Sequence, residues 1–316
     1  MINFGLVFSP LLKGNQPLDH IGKKLPTYMR FLELIRQKGW QVYILTRRTY
    51  QGGSKFDGGW LFDKGNFVLK KEPIDINLVY DRTGGLFFPP ENTPKMAVVN
   101  RRDFKVMSCD KYKNYLKIGR FMPPTFWVGS KENLPAVLPK IKTDWVVLKP
   151  FNALKGIGIY VGPKSGALDF EFDKKYPMYL AQEFVDTSGG ITGLIAGWHD
   201  VRVVVVNNQV VWCHMRTPPR GEYLANVARG GSLTEIDYVK HVPQAIKRVV
   251  AKIAPYFYKK YDNPIFSLDF GMGKEGPKIF EINDQIGFPL WEMTSRDRFL
   301  QALVANFETK LRKKIV

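Results

Sequence analysis

Two short apolar segments near the C-terminal end of the chain, 265–270 and 278–282, carry acidic side chains. Glycines and a proline separate the segments, and this pattern predicts two strands joined as a β-hairpin. Asp269 lies in the first segment, Glu281 lies in the second, and Asn283 follows shortly after. Carboxylates in apolar strands are costly unless a cation pairs with them, and Mg²⁺ prefers oxygen ligands of this kind. The hairpin therefore predicts a metal site on a sheet.

The composition is that of a globular chain with room for two or three domains. Of 316 residues, 45% are hydrophobic, and no apolar run approaches the about 20 residues that a membrane helix needs. Residues 1–8 lack the basic region and cleavage site of a signal peptide and predict a first strand. Cys109 and Cys213 could form one bridge, but they indicate no disulfide scaffold, so we expect a reducing, cytoplasmic location.

The net charge of +18 predicts attraction to anions. Basic residues cluster between Arg101 and Arg120 and again between Lys310 and Lys314. Such clusters attract nucleotides, acidic peptides, nucleic acid or anionic lipid. A lysine-rich solvated surface, as in heat-adapted proteins, explains most of them equally well.

The first hundred residues alternate between strand and helix patterns. Strands are predicted at 2–8, 41–45 and 76–80, with a helix over 23–38 that Gly39 ends. This alternation is typical of an α/β domain with an open parallel sheet.

After residue 100 the pattern changes. A basic helical stretch ends near Pro123, and we predict strands at 145–149, 157–161 and 178–185, with a lobe boundary in the loop 186–190. Two β-branched runs, 201–206 and 209–214, predict an antiparallel hairpin. A helix over 239–261 and a last helix from about residue 298 complete the prediction.

Lys149 ends an apolar strand pattern and precedes a loop that contains Gly156 and Gly158. A lysine in this position needs an anionic partner, and glycines let backbone amides approach a phosphate. The segment is neither a Walker loop, because no Gly-Lys-Ser/Thr follows, nor a dinucleotide fingerprint, because a strand pattern comes next. An ordinary hairpin turn is the alternative interpretation.

Arginines form a third group of candidates. Arg202 follows Asp200 on one predicted strand, and Arg216 lies at the end of its partner. Asn226, Arg229 and the paired glycines Gly230-Gly231 follow in a loop. Arginine makes multidentate contacts with phosphate and carboxylate, although each of these residues singly is as well explained by a solvated loop.

The order of these segments is more specific than any one of them. It runs Asp110-Lys111, Lys149-Pro150, the glycine loop, Gln182-Glu183-Phe184-Val185, Asp200-Val201-Arg202, Arg216, Asn226 to Gly231, Asp269, and Glu281-Ile282-Asn283. This order resembles the ATP-grasp superfamily of carboxylate–amine ligases, especially its ribosomal-protein glutamate-ligase-like and spore-coat-associated branches. The resemblance covers residues 100–295.

The resemblance implies an α/β fold in which two α+β lobes hold ATP, preceded by an open parallel α/β domain. The implied boundaries are 1–100 for the N-terminal domain, 101–187 for the central small lobe and 188–316 for the C-terminal lobe. The nucleotide-binding residues would be Lys111, Lys149, Asn152, Lys155, Gly156, Gly158, Gln182, Glu183, Phe184, Val185 and Asp200. Among these, the two lysines and the glycine loop would contact the phosphates. The segment 182–185 would hold the adenine, mainly through backbone atoms, and Asp200 would lie near the ribose.

The resemblance also implies a metal and a substrate site. Asp269, Glu281 and Asn283 would bind Mg²⁺, with two ions implied and Mn²⁺ as an alternative. Arg216 would contact the transferred phosphate, and the acyl phosphate or substrate carboxylate would face Asn226, Arg229 and Gly230. Arg202 is a further substrate candidate.

Three points depart from the pattern or stay open. Some ATP-grasp ligases carry an oxyanion-stabilising arginine two residues before the first metal aspartate, where this chain has Ser267, so Arg229 is a candidate substitute. Lys105 and Lys113 compete with Lys111 as the first lysine, which we prefer for its interval before Pro124-Thr125. Arg82, in Tyr80-Asp81-Arg82 at the end of a predicted strand, is a candidate for a substrate carboxylate, with a structural ion pair equally possible.

The resemblance implies a ligase that activates a carboxylate with ATP and transfers it to an amine through an acyl phosphate. Its partners would be ATP, the two substrates and, given the positive charge, an acidic peptide or protein; an oligomer stays open. The alternatives are an ATP-binding structural protein without catalysis and, less favoured, a basic nucleic-acid-binding protein. The four histidines suggest no nucleophile, and structural roles are favoured for them.

Overall fold

The computed structural model describes residues 1–9, 17–84, 96–153, 156–225 and 230–315. Three separate sheets make up its strands, one within 3–99, one within 125–183 and one within 200–283. Each sheet falls inside one of the three predicted domain ranges. The boundaries of those domains stay a prediction.

The first sheet has seven strands and one long helix. These are β1 (Asn3–Phe8), α1 (Leu25–Arg36), β2 (Gln41–Thr46), β3 (Tyr50–Gly52), β4 (Lys55–Asp63), β5 (Asn66–Asp75), β6 (Leu78–Arg82) and β7 (Ala97–Val99). The order is β3-β4-β2-β1-β6-β7, with β5 paired to β4. The four strands β2, β1, β6 and β7 are parallel, as expected, but β3, β4 and β5 add an antiparallel edge that the sequence analysis did not predict.

The second sheet is antiparallel and follows two short helices. The elements are α2 (Arg102–Cys109), α3 (Lys111–Ile118), β8 (Thr125–Gly129), α4 (Leu134–Val137), β9 (Trp145–Pro150), β10 (Tyr160–Pro163), α5 (Lys164–Ala167) and β11 (Tyr179–Glu183). The order is β10-β9-β11-β8. The strand predicted at 157–161 is displaced, because the loop continues through Gly158, whose φ of 67° is unfavourable for other residues.

The third sheet has five antiparallel strands. The elements are β12 (Asp200–Val206), β13 (Gln209–Thr217), β14 (Ser232–Glu235), α6 (Tyr238–His241), α7 (Gln244–Lys260), β15 (Phe266–Gly273), β16 (Gly276–Asn283) and α8 (Arg296–Ile315). The order is β14-β13-β12-β15-β16. Both predicted hairpins form, and Asn207 and Asn208 turn the first with φ of 54° and 59°. The helix predicted over 239–261 is instead two helices, because Pro243 stands at the start of α7.

The third sheet is covered by helices on both faces because its strands alternate two apolar sets. Along β12, Val203 and Val205 belong to the core that includes α7, whereas Val204 and Val206 belong to the core that includes α8. The core with α8 also contains residues of the first sheet, and the rings of Phe4 and Phe307 stack with centroids 5.3 Å apart. The last helix thus packs between the N-terminal sheet and the third sheet.

Candidate active site

Charged residues continue the face of the third sheet that carries Val204 and Val206. Asp200 and Arg202 lie on that face because side chains two apart on a strand point the same way. The register pairs Asp200 with Arg216, Arg202 with Asp269, and Asp269 with Glu281. Residues directly opposite each other in antiparallel strands share a face, so the predicted arginines and metal ligands come together on one surface.

Asp269 is the centre of a network of four charged side chains on this face. Arg202 donates through Nε and Nη2 to the two carboxylate oxygens of Asp269, both at 2.6 Å. Arg216 donates through the same nitrogens to Asp200 at 2.7 Å, and its Nη2 also donates to Oδ2 of Asp269 at 2.8 Å. Every charge of the network therefore has a partner of opposite sign, and the bidentate geometry orients both guanidinium groups.

The two carboxyl groups of the network differ in their pKa. Burial would raise the pKa of Asp269, but Arg202 and Arg216 outweigh burial and hold the pKa below its ordinary value. Burial raises the pKa of Asp200, and the nearby charge of Asp269 adds to the rise, although Arg216 opposes it. Asp269 is thus the carboxylate that stays ionised over the widest range of pH.

Lys149 ends β9 on the second sheet and has a neutral partner. Its Nζ donates to Oε1 of Gln182 at 2.8 Å and lies 3.4 Å from the carbonyl oxygen of Phe280. Nε2 of Gln182 in turn donates to Oγ1 of Thr125 at 2.7 Å, so the amide is held with its oxygen toward the lysine. Burial lowers the pKa of Lys149 to about 7, with the positive charge of Lys111 as the next cause. The negative charge of Glu281 opposes this lowering only as the third cause, and within the described ranges no carboxylate pairs directly with Lys149.

Lys111, the preferred first lysine, lies beside β16, the second strand of the hairpin that carries the predicted metal ligands. Its Nζ lies 3.2 Å from Oε1 of Glu281 and donates to the carbonyl oxygen of Ala153 at 2.6 Å. The two competing lysines lie elsewhere: Lys105 is buried against Asp81 and Asp284, and Lys113 is exposed, 3.8 Å from Asp110. Lys111 is therefore the one of the three that lies beside both Glu281 and the glycine loop.

The glycine loop is described except for Lys155 and its neighbour 154. Gly156 and Gly158 have φ of 72° and 67°, which favours glycine at both positions. At Gly158 a Cβ atom would also lie 2.7 Å from the hydroxyl of Tyr179 and 3.1 Å from the ring of Pro150. Asn152 is exposed at the start of the loop. The described part of the loop thus turns tightly at Gly156 and Gly158.

The predicted adenine-binding segment, 182–185, comprises the last two residues of β11 and the two residues after it. The Glu183 amide donates to the carbonyl of Pro124 at 2.9 Å, and its carboxylate accepts from the amide of Lys142. Phe184 contacts Trp145 and Trp198, with ring centroids 5.3 and 5.7 Å away, and Val185 lies against Gly273 of the hairpin. The segment therefore connects the second sheet to the third, beside the face that carries Lys149.

The three predicted metal ligands fit a hard divalent cation. Asp269 and Glu281 are cross-strand neighbours, Asn283 lies two residues along the same strand as Glu281, and Nδ2 of Asn283 is 3.3 Å from Asp269. The described parts of the chain contain no group of three His, Cys, Asp or Glu side chains suited to a metal, so this site depends on the amide of Asn283 as its third ligand. Two carboxylates and an amide oxygen suit Mg²⁺, and equally Mn²⁺, better than a softer metal.

Of the remaining candidates, Arg82 and Gly230 belong to the residues that the structure describes. Arg82 lies under the aromatic ring of Phe288, with its Cζ 5.8 Å from the ring centroid. Gly230 has φ of 88° and lies near Pro219. Lys155, Asn226 and Arg229 fall outside the described residues, so their predicted roles stay predictions. Cys109 and Cys213 are both free, and no helix within the described ranges is long and apolar enough to cross a membrane.

Sequence reasoning missed several residues of the site. Thr125 was noted only as part of Pro124-Thr125, yet it fixes the amide that faces Lys149. His214 lies opposite Arg202 in the register and is buried, and burial followed by Arg202 and Arg216 holds its pKa well below the ordinary value. The period-2 pattern of the hairpin could have placed His214 beside Arg202, whereas nothing in the local sequence indicated Thr125.

Solved structures with the same fold are ATP-grasp ligases. D-alanyl-alanine synthetase A from Vibrio cholerae superposes with a TM-score of 0.65 over 98% of both chains, at 12% sequence identity. A RimK domain ATP-grasp protein from Sphaerobacter thermophilus gives a TM-score of 0.59, covering 96% of this chain and 98% of its own, again at 12% identity. This chain has the ATP-grasp fold, which confirms the predicted fold class.

The sequence places the chain more narrowly. Residues 111–303, more than half of the chain, match the RimK-like ATP-grasp domain, and the chain belongs to that family. A probable alpha-L-glutamate ligase from Haemophilus influenzae is 28% identical over 196 residues, which cover 59% of this chain and 58% of that protein. The chain thus spans less than two thirds of the length of this relative.

Proposed function

We propose that this chain is an ATP-dependent ligase that joins a carboxylate to an amine through an acyl phosphate and releases ADP and phosphate. The observation that carries the proposal is the meeting of two surfaces. Lys111 and Lys149, beside the glycine loop, approach the hairpin strand that carries Glu281, and next to it lie Asp269, Arg202 and Arg216. Buried lysines facing a magnesium-type ligand set suit a nucleotide polyphosphate with its metal.

The chemistry follows from the charges. A substrate carboxylate oxygen attacks the γ-phosphorus of ATP, and the bond to the β-phosphate oxygen breaks, with its electron pair leaving on ADP. The amine nitrogen then attacks the acyl carbon, loses a proton, and the phosphate leaves with the electrons of the acyl–oxygen bond. Both steps concentrate negative charge, so the protein contributes mainly positioning and electrostatic stabilisation.

Each group of residues has a defined part in this proposal. Lys111 and Lys149 hold phosphate oxygens, and Arg216 faces the transferred phosphate while Asp200 and Asp269 keep its guanidinium oriented. Asp269, Glu281 and Asn283 hold Mg²⁺, which neutralises phosphate charge when bound. Asn226, Arg229 and Gly230 are candidates for contact with the acyl phosphate, and Arg229 is also a candidate for stabilising the oxyanion. Residues 182–185 hold the adenine. The loop that contains Asn152, Lys155, Gly156 and Gly158 covers the phosphates.

We extend the proposal to the substrate class, the partner and the cellular location. Family membership and the probable alpha-L-glutamate ligase of Haemophilus influenzae support an amino acid, a peptide or an acidic protein as substrate. The net charge of +18 favours an acidic partner, and we place the protein in the cytoplasm, where ATP and thiols are available.

The test is Mg²⁺-dependent ADP release across a panel of carboxylates and amines, with the product identified by mass. We expect release with one carboxylate–amine pair, and its loss in Glu281→Ala. Glu275→Ala is the matched control, because Glu275 is exposed at the turn of the same hairpin. ATP binding without ADP release across the panel would favour a nucleotide-binding structural protein. Salt-dependent nucleic-acid binding that Glu281→Ala leaves unchanged would favour the third alternative.

A further inference from the structure

Lys24 and Arg82 form a pair of cations beside the site, here called the N-terminal cation pair. Lys24 immediately precedes α1, and Arg82 is the last residue of β6. The Lys24 ammonium lies 3.1 Å from the point where a side chain on Gly287 would begin, and Cζ of Arg82 lies 5.8 Å from the ring centroid of the next residue, Phe288, so both cations reach the segment after β16. Burial lowers the pKa of Lys24, and the positive charges of Arg82 and Arg202 add to that lowering. Two elements of the first sheet thus bring positive charge to an arginine of the third sheet.

Neutral groups hold Arg82 in place. Its guanidinium donates to the hydroxyl of Tyr80 at 3.2 Å, and its Cζ lies 5.2 Å from the ring centroid of Tyr80. Phe288, which covers the other side, stacks on Tyr28 with centroids 4.1 Å apart. The aromatic residues therefore position the guanidinium without neutralising it.

Neither member of the pair has an acidic partner among the described residues. Asp81, the chain neighbour of Arg82, points to the opposite side of its strand, where it accepts from Thr83 and pairs with Lys105 at 3.1 Å. Nε of Arg82 is buried and has no hydrogen-bond partner within the described ranges. Lys24 and Arg82 are half-buried, and cations partly removed from water are costly without an anion, so the arrangement suits a ligand that brings negative charge.

The position of the pair separates it from the phosphate-binding lysines. Arg202 is bound to Asp269 and lies opposite the buried His214 in the strand register. Lys24 and Arg82 both reach the segment after β16, the second strand of the hairpin. The pair therefore adjoins the hairpin of the predicted metal ligands from the side of the N-terminal sheet, whereas Lys111 approaches it from α3 and Lys149 from the second sheet.

We propose that Lys24 and Arg82 bind a substrate carboxylate that is not the one activated by ATP. The reacting groups have to lie near Glu281 and Arg216, whereas an anion at the cation pair lies beyond Arg202 and keeps its carboxylate unchanged. The substrate class is therefore a small molecule with a spare carboxylate, such as an amino acid with a free α-carboxylate. The inference rests on the proposed function for the fate of that substrate, although the anion site itself can be measured without ATP.

The first experiment measures binding by calorimetry in the absence of ATP, with glutarate and its neutral diamide as probes. We expect the wild-type protein to prefer the dicarboxylate, and Lys24→Met and Arg82→Gln to weaken its binding roughly 10- to 100-fold, the loss expected when a charge-assisted hydrogen bond is removed. Lys23→Met and Arg30→Gln, at exposed positions beside and within α1, are the matched controls and should bind as the wild type does. Arg82→Lys, which keeps the charge, should retain part of the preference.

The second experiment compares KM values for amino acids and for the same amino acids as carboxamides, once ADP release is established. The two variants should raise KM for the free acids and leave the carboxamides nearly unchanged. Equal losses for acid and amide, or no glutarate preference in the folded wild type, would overturn the cation pair as an anion site. Variant-sensitive glutarate binding without any ADP release would instead refute the proposed function and leave the anion site standing.

Discussion

The arginines of the third sheet and two cations from the other two sheets, Lys149 and Arg82, are satisfied in opposite ways. On the third sheet, Arg202 and Arg216 are matched by Asp269 and Asp200 in bidentate contacts. On the other sheets, Lys149 donates to the side-chain amide of Gln182. Arg82 donates to the hydroxyl of Tyr80 and lies against the aromatic rings of Tyr80 and Phe288. The closed network orients groups before any ligand arrives, whereas the cations with neutral partners are suited to receive one.

The largest expected effect comes from opening the closed network. Asp269→Asn leaves Arg202 and Arg216 without their shared charge partner, and breaking a buried pair in this way should cost about 3–5 kcal/mol in the free energy of unfolding. Denaturant unfolding measures the loss, and ADP release should vanish as well. A variant as stable as the wild type would show that the charged network does not stabilise the fold.

Removing Lys149 should reduce ATP affinity without reducing the stability of the fold. In Lys149→Met a buried charge with a neutral partner is replaced by an apolar chain, so stability should stay level or rise while ATP affinity falls by about 1.5–3 kcal/mol. Unfolding and calorimetric titration with ATP measure the two quantities on one sample. Lys142→Met, at an exposed position ahead of the same strand, is the control. A large loss of stability in Lys149→Met would contradict the contrast between the two groups of charges.

The pH dependence sharpens the same contrast. Burial lowers the pKa of Lys149 from 10.5 to about 7. Between pH 7 and pH 10.5, Lys149 is therefore protonated in the unfolded chain and mostly neutral in the folded protein. Stability should therefore rise with pH across this window, by up to about 1.4 kcal/mol per pH unit from this residue alone. The measurement is the wild-type curve minus that of Lys149→Met. A flat difference between pH 7 and 10 would contradict the lowered pKa.

The last expected effect concerns the stability of the loop. Gly158→Ala places a Cβ against the Tyr179 hydroxyl in a left-handed conformation and should cost about 1–3 kcal/mol, seen as a lower midpoint of thermal unfolding. Gly189→Ala, where a side chain would meet no atom within 4 Å, is the control. Equal midpoints for the two variants would show that the turn does not depend on glycine.

The sequence predicted those parts of the site that are coded locally. Apolar strands interrupted by glycines indicated the hairpin of Asp269 and Glu281, and the lysine at the end of β9 was visible for the same reason. The antiparallel edge of β3, β4 and β5 was missed because β5 is polar and largely exposed, although Lys64 and Gly65 are suited to its turn.

Other features depend on contacts between distant segments. The pairing of Arg202 with Asp269 follows from the register of strands 67 residues apart. Lys24 is indistinguishable from Lys23 in the sequence, and only the packing of α1 against β6 and the segment after β16 brings it beside Arg82 and Gly287. Long-range register and packing of this kind leave no local pattern to read.

The acyl phosphate is the central claim, and isotope transfer tests it most directly. With a substrate whose carboxylate carries ¹⁸O, the phosphate released beside ADP should contain one ¹⁸O atom, because the carboxylate oxygen that attacks the γ-phosphorus leaves with the phosphate. Mass spectrometry of the released phosphate makes the measurement. ADP release accompanied only by unlabelled phosphate would show that the carboxylate is not activated by phosphorylation and would contradict the account.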